Sequence, residues 1–280
     1  MKYGNLHLHS VYSDSQFTPY QLVLIGKSLG YRALALTDHW SDGGFDEFSA
    51  SAEKEGIDVI SGVEFDRSDL GASIHITALD FDRDNPRMRA MIKEQCDART
   101  ECTRKCFERG VALGFIQGAT WDDVMDHSEE GAWVCIDHVI CTLRRKKVLD
   151  ACGGSDALRQ NVFKGPEIAA FLPKKPSMAE IIKTIRGADG IATFAHPHNQ
   201  IQYLPALLDL GINGIEVCHP DLNDETARLA EEAAVAYKLY RSGGTDHTGA
   251  MSGCGGSHAI PVYNGVTEEE YFTIKERRLG

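Results

Sequence analysis

The feature that most constrains this chain is a recurrence. Short apolar runs, spaced by helix-like segments, each give way to His, Asp or Glu. Residues 3–9 end at His7 and His9, residues 31–37 at Asp38 and His39, and residues 57–63 at Glu64. After a long interval the pattern returns: 190–195 leads to His196 and His198, 214–218 to His219, and 239–243 to Asp246 and His247. A seventh run, 73–79, carries His75 within it. Strand, helix, strand in short alternation is what a parallel sheet covered by helices requires. Functional groups in such folds collect at the carboxyl ends of the strands, where these side chains fall. Alternation along the first strand sends His7 and His9 to one face, so two imidazoles can serve one metal ion.

Residues 85–176 break the rhythm and read as mostly helical. Met91, Gln95, Ala98, Cys102 and Cys106 recur at spacings of three or four, the pattern of a buried stripe. Basic residues concentrate from Arg87 to Arg109 and again at Arg144-Arg145-Lys146-Lys147, and a solvated helix face accounts for most of them. The expected organisation is an inserted helical subdomain over 85–176, with a sheet domain formed by 1–84 and 177–280. A chain of 280 residues suits one barrel-sized core.

Composition narrows the partners. A formal net charge of −12 argues against holding long nucleic acid, which needs clustered Lys and Arg. A small phosphorylated substrate in a locally basic pocket stays compatible with it. No apolar run approaches the roughly 18 residues of a membrane span. The strand beginning at Tyr3 leaves no room for a signal-peptide core, so a cytoplasmic location is expected. The eight cysteines form no C-x-x-C pair and read as reduced, mostly buried thiols rather than a zinc site.

The ordered motifs also carry a resemblance. His7-x-His9, Thr37-Asp38-His39, Gly62-Val63-Glu64, His75, Ala195-His196-Pro197 and Gly244-Thr245-Asp246-His247 resemble those of the PHP (polymerase and histidinol phosphatase) family, in its order and over nearly the whole chain. Ile136-Asp137-His138-Val139 and Phe171-Leu172-Pro173-Lys174 are similar to the branch that contains nucleotide phosphatases. The resemblance implies an α/β fold, a distorted seven-stranded (β/α) barrel, with two or three divalent transition metal ions (Zn, Mn or Fe) at its carboxyl face. Carried over by motif, His7, His9, Glu64 and Asp246 hold one ion, and Glu64 bridges to a second held by His75 and His196. Asp14, His39 and His247 form a third position.

Two departures from the family pattern bear on that third position. Asp246 and His247 are adjacent where the family has Asp-x-His, and residue 14 is Asp where many relatives have His. A turn at the flanking glycines would be needed to bring both Asp246 and His247 to the ions.

The remaining polar residues divide by role. Glu64, Asp246 and Asp38 are the catalytic candidates, Asp38 as a partner that orients a ligand histidine. Glu216 and His219 are expected behind the ligands or against substrate. Arg99, His138, Lys174 and His198 are the candidates for substrate contact, although His198 reads equally well as a loop histidine. His127 and His258 are assigned to surface or loops. The expected activity is hydrolysis of a small phosphorylated substrate (a nucleotide, nucleoside bisphosphate or histidinol phosphate) by a metal-activated water. A metal-dependent hydrolase of C–N bonds and a non-catalytic metal-binding accessory module remain open alternatives.

Overall fold

Two sheets, rather than one, carry the polar strand ends. The computed structural model describes residues 2–249 and 264–279. Strands β1 (Gly4–Asn5), β2 (Ala33–Ala35) and β3 (Asp58–Ile60) form a parallel three-stranded sheet. Helices α1 (Pro19–Ser28) and α2 (Phe45–Glu55) connect them. Strands β4 (Gly62–Arg67) and β5 (Ile74–Leu79) open a five-stranded sheet. It is completed by β6 (Ile191–Phe194), β7 (Gly214–Cys218) and β8 (Tyr240–Gly243). Both partners of β5 run antiparallel to it, whereas β6, β7 and β8 are parallel.

This mixed α/β arrangement departs from the expected seven-stranded barrel in two ways. The run 57–63 is broken at Ser61, whose hydroxyl donates to the Phe81 carbonyl at 2.7 Å, so one expected strand becomes β3 and β4 in different sheets. Strand β5 also reverses direction. Between the sheets, single bridges pair Leu8 with His247 and His39 with Glu64 at the polar strand ends.

Local sequence explains most helix starts. Thr18 and Gln21 make a capping box ahead of Pro19, and Ser177 and Glu180 make one for α7 (Met178–Gly187). Helix α7 then buries Ile181, Ile182 and Ile185 in the largest core cluster, with Ile74, Ile76 and Phe194 of the sheet. Helices α8 (Leu204–Asp209), α9 (Asp224–Ala236) and α10 (Glu268–Lys275) complete the covering layer.

Between β5 and α7 lie α3 (Pro86–Ala112), α4 (Trp121–Met125), α5 (Ile136–Arg145) and α6 (Gly154–Asn161). They enclose a separate core that includes Phe107, Val139, Leu143 and Leu158. The buried face of α3 is not the stripe read from sequence. It runs through Met88, Ile92, Gln95, Cys96, Arg99, Thr103 and Cys106, leaving Met91, Ala98 and Cys102 at its margin. The rotation follows from Arg99, which goes inside because it finds a carboxylate there. No helix among the described residues is long and apolar enough to cross a membrane. The seven described cysteines are unbridged; Cys254 and His258 lie outside the described residues.

Residues 243–246 return beside β1 and the residues that follow it. The Asn5 side chain donates to the Thr245 hydroxyl at 2.9 Å and accepts from the Thr245 backbone N–H at 3.1 Å. Leu6 N–H donates to the Gly243 carbonyl and Asp246 N–H to that of His7, each at 3.0 Å.

Candidate metal centre

Strand β1 delivers His7 and His9, both with no exposed surface, onto one side of the chain, and Leu8 onto the other. Glu64, on β4, is 1% exposed and lies among five histidines. Its Oε2 faces His7 Nε2 at 3.4 Å, His9 Nε2 at 3.3 Å and His39 Nδ1 at 3.2 Å. Its Oε1 faces His75 Nδ1 at 2.9 Å and His196 Nε2 at 3.1 Å. Asp246, at a positive φ of 47°, turns its Oδ1 to within 2.9 Å of His9 Nε2 and 3.6 Å of His7 Nε2.

His75 reaches the same point from an apparently wrong place. It lies near the start of β5, but the antiparallel pairing sets that start beside the exit of β4, where His75 is the register partner of Asp66.

Burial and charge oppose each other throughout. Burial alone would lower the pKa of His7, yet Glu216, Glu64 and Asp246 carry it well above the usual histidine value. Burial would raise the Glu64 pKa, but His39, His7 and His75 hold it well below the ordinary carboxylate range. Asp246 is depressed in the same way, chiefly by His7. Buried His7 Nε2, His9 Nε2 and His39 Nδ1 face these carboxylates without making a well-formed hydrogen bond among the described residues. Imidazole nitrogens buried in this way beside carboxylates, with four sets converging within 4.8 Å, fit the ligation of divalent transition metals. Those sets are His7, His9, Glu64 and Asp246; His39, Glu64 and His75; His9, Asp14 and His39; and His7, Glu216 and His219.

Other expected residues fall into place or out of it. Glu216 accepts from His7 Nδ1 at 3.0 Å and from the His196 backbone N–H at 2.6 Å. His219 is deeper than expected: Nδ1 accepts from the Asp221 N–H at 3.2 Å and Nε2 lies 3.5 Å from Asp246 Oδ2. His198 is half-buried, its ring 4.9 Å from that of His196. Asp38 makes no direct hydrogen bond to a histidine among the described residues and reaches His9 only through the Ser13 hydroxyl. Its carboxylate accepts from the Ser10 N–H, the Ser10 hydroxyl and the Ser13 hydroxyl, at 2.5–2.7 Å, and so shapes the loop after β1.

His247 turns away from the side on which His7, His9 and Glu64 converge. Its ring stacks on Phe17 at 5.1 Å and lines a small space with Leu8 and Leu22, because it bridges Leu8 and shares that residue's face. Asp14 and His39, its expected companions, remain beside His9.

The substrate candidates also change. Arg99 is buried, donating to Asp66 Oδ1 at 2.5 Å, with its guanidinium carbon 4.4 Å from the Trp40 ring centroid and 5.2 Å from that of Trp133. Lys174 is exposed; its neighbour Lys175 reaches Asp66 Oδ2 at 2.5 Å instead. His138 has both ring nitrogens on backbone, accepting from the Cys135 N–H and donating to the Val11 carbonyl. Asp66 and Trp133, whose edge meets His39 at 5.9 Å, were not found from sequence. Strand parity would have found Asp66, which shares the face of Glu64 two residues on.

Comparison with known proteins agrees with this geometry. A family model described as PHP domain matches residues 5–139. A protein of Haemophilus influenzae named 5'-3' exoribonuclease is 32% identical over 199 residues, covering 69% of this chain and 68% of its own. The chain belongs to the PHP family. A second relative, from Chromobacterium violaceum and named 3',5'-nucleoside bisphosphate phosphatase, is 28% identical over 86% of each chain. A crystal structure from Bifidobacterium adolescentis, provisionally described as a metal-dependent phosphoesterase, superposes with a TM-score of 0.80. It is 25% identical and covers 99% of this chain and 96% of its own. This PHP chain is a metal-dependent phosphoesterase.

Proposed function

We propose that the PHP centre holds two divalent transition metal ions and hydrolyses a small phosphorylated substrate of the nucleotide or nucleoside bisphosphate class. The observation that carries this reading is the division of Glu64: one carboxylate oxygen faces His7, His9 and His39, the other His75 and His196. A carboxylate so placed suits two ions at once. His7, His9, Glu64 and Asp246 would hold the first, and Glu64, His75 and His196 the second, with His39 between them, facing the first oxygen of Glu64 and grouped with His75. The helices of residues 85–176 are read as the substrate-selecting subdomain and the sheets as the chemical one. The names of the two relatives, which concern nucleic acid and nucleoside bisphosphate, support the substrate class.

A third ion is disfavoured by the nitrogens available. His9 would commit Nε2 to the first ion, which leaves Nδ1 protonated and donating toward Asp14 and Ser13, each at 3.4 Å. Without His9 and His247, that position keeps only Asp14 and His39.

Ions held there supply Lewis-acid polarisation of a phosphoryl oxygen and a water acidic enough to attack at neutral pH. The chain positions and shields. Glu216 accepts a hydrogen bond from His7 Nδ1–H and so aims Nε2 inward. His219, accepting at Nδ1, keeps its proton at Nε2 against Asp246 and leaves the other Asp246 oxygen toward His9. The edge of Trp133 walls His39.

The test is metal analysis and a substrate panel on purified protein and on Glu64→Gln. Two metals per chain, metal-dependent release of phosphate, and loss of both ions in the variant are expected. Amide cleavage without phosphatase activity would favour the C–N hydrolase. Two bound metals with neither activity would favour the accessory module.

A further inference from the structure

Strand β4 puts two carboxylates on one face, Glu64 at the metal centre and Asp66 two residues on. Asp66 accepts from Arg99 of α3 at 2.5 Å and from the Trp40 indole Nε1 at 2.7 Å. The Arg99 guanidinium lies over two indoles, 4.4 Å from the Trp40 ring centroid and 5.2 Å from that of Trp133. Trp133 in turn meets the His39 ring nearly at a right angle, centroids 5.9 Å apart. His39 Nδ1 faces Glu64 Oε2 at 3.2 Å, so the contacts form a circuit that leaves β4 at Asp66 and returns to it at Glu64.

The circuit exceeds what docking α3 requires. An ion pair with Asp66 would dock the helix, yet the guanidinium also covers both indoles. Trp40, directly after His39, has a φ of 54°, a left-handed conformation that bulky residues rarely adopt. Its N–H donates to the Glu64 carbonyl at 3.0 Å, and its Nε1 bond to Asp66 holds the turned chain in place. The buried Nε1 of Trp133 has no hydrogen-bond partner among the described residues, although a buried indole usually finds one. Surface contacts therefore place that ring, Arg99 and His39 among them. The segment that carries it is pinned as well: Trp133 N–H donates to the Tyr12 carbonyl at 2.9 Å, and Val134 N–H to the Thr100 hydroxyl at 3.1 Å.

We propose that Arg99 and Trp133 are positioning residues: the guanidinium, fixed by Asp66, holds the Trp133 indole against His39 and so sets that imidazole for an ion shared with Glu64. A planar, delocalised cation suits this place, because it pairs with a carboxylate while offering its faces to aromatic rings. The inference rests on the metal-centre reading above and moves Arg99 within it. The side chain acts through His39 and not on a substrate phosphate, which gives α3 of the inserted helices a hold on the ions.

The experiment compares wild type with Arg99→Lys, Trp133→Leu and Trp133→Phe. Zn²⁺ is titrated by calorimetry into each metal-free protein, and the His39 ring signals, assigned by their loss in His39→Ala, are read by NMR. After loading, kcat and KM are measured for adenosine 3',5'-bisphosphate. Arg99→Lys and Trp133→Leu are expected to weaken one of two Zn²⁺ sites by about tenfold or more and to leave the other unchanged. Both should lower kcat with little change in KM, and both should shift the His39 signals before any metal is added. Trp133→Phe keeps an aromatic ring between the two neighbours and is expected to retain most of the affinity and of kcat. A raised KM with kcat and Zn²⁺ affinity intact would make Arg99 a substrate contact and overturn the proposal. Unmoved His39 signals, or a Phe variant as impaired as the Leu variant, would overturn it too. If wild type binds no Zn²⁺, the metal-centre reading fails, and the His39 signals decide whether the circuit positions that imidazole. If it binds two ions and hydrolyses nothing, the phosphatase reading fails, and the Zn²⁺ affinities decide the proposal. Should Arg99→Lys not fold, the Trp133 pair decides it in the same way.

Discussion

Glu216 accepts a 2.6 Å hydrogen bond from the backbone N–H of His196, a residue held at a positive φ of 27°. Its other oxygen accepts a hydrogen bond from His7 Nδ1–H. One carboxylate thus fixes a strained backbone just after β6 and the ring of a candidate ligand just after β1. Glutamine in its place can accept from only one of them and sets an N–H against the other. Glu216→Gln is expected to weaken metal retention by about 10- to 100-fold in a chelator titration. Retention equal to wild type would remove Glu216 from this role.

His247 and His39 should part company. With His247 packed on Phe17, His247→Ala is expected to keep two metals per chain, whereas His39→Ala should release one at lower chelator concentration. Metal loss in His247→Ala comparable to that in His39→Ala would show that the ring reaches the ions after all.

Asp66 accepts from Trp40, Arg99 and Lys175 and ties α3 and the segment before α7 to β4. Burial would raise its pKa, but Arg99 and Lys175 depress it far below the ordinary range. A depressed acid contributes stability that is fully present above its unfolded pKa of about 3.9 and is lost as pH falls toward the native value. Asp66→Asn should therefore cost about 3 kcal/mol at neutral pH, the low end for breaking a buried pair because the partners are partly exposed. Urea midpoints of the two proteins should converge only below about pH 4. A constant gap down to pH 2 would contradict the assignment.

Much of the site was legible because a two-residue repeat is a rigid constraint. Once residues 3–9 form a strand, His7 and His9 must share a face, and the exits at 64, 196 and 246 follow from the alternation of elements. What could not be read depends on direction and pairing. Nothing in residues 73–79 says that β5 runs antiparallel, and that reversal is what brings His75 to Glu64. His247 shares the face of Leu8 because the two residues bridge, a pairing across more than two hundred residues of sequence. Arg99 reads as a solvent charge until Asp66, from a different strand, is placed beside it.

Asp137 carries the opposite pH signature to Asp66. Burial pushes its pKa up to about 6, against the pull of Arg159. A raised acid contributes stability that is fully present below its unfolded pKa of about 3.9 and lost as pH rises through about 6. Wild type should lose stability between those values relative to Asp137→Asn, whose profile should be flatter there. Parallel unfolding midpoints across this window would show that the carboxyl titrates normally.

The bond from Asn5 to Thr245 joins positions 240 apart in sequence and lies next to His7 and Asp246. On a ribosome, His7 and His9 emerge more than two hundred residues before the aspartate that faces them. The helices between β5 and α7 can close their own core meanwhile, since its residues all fall within that interval. Contacts of such long separation form late, because closing the intervening loop is entropically costly. The histidine pair can therefore meet Asp14 and Glu64 early, and its ligand set closes only when Asp246 pairs back against it.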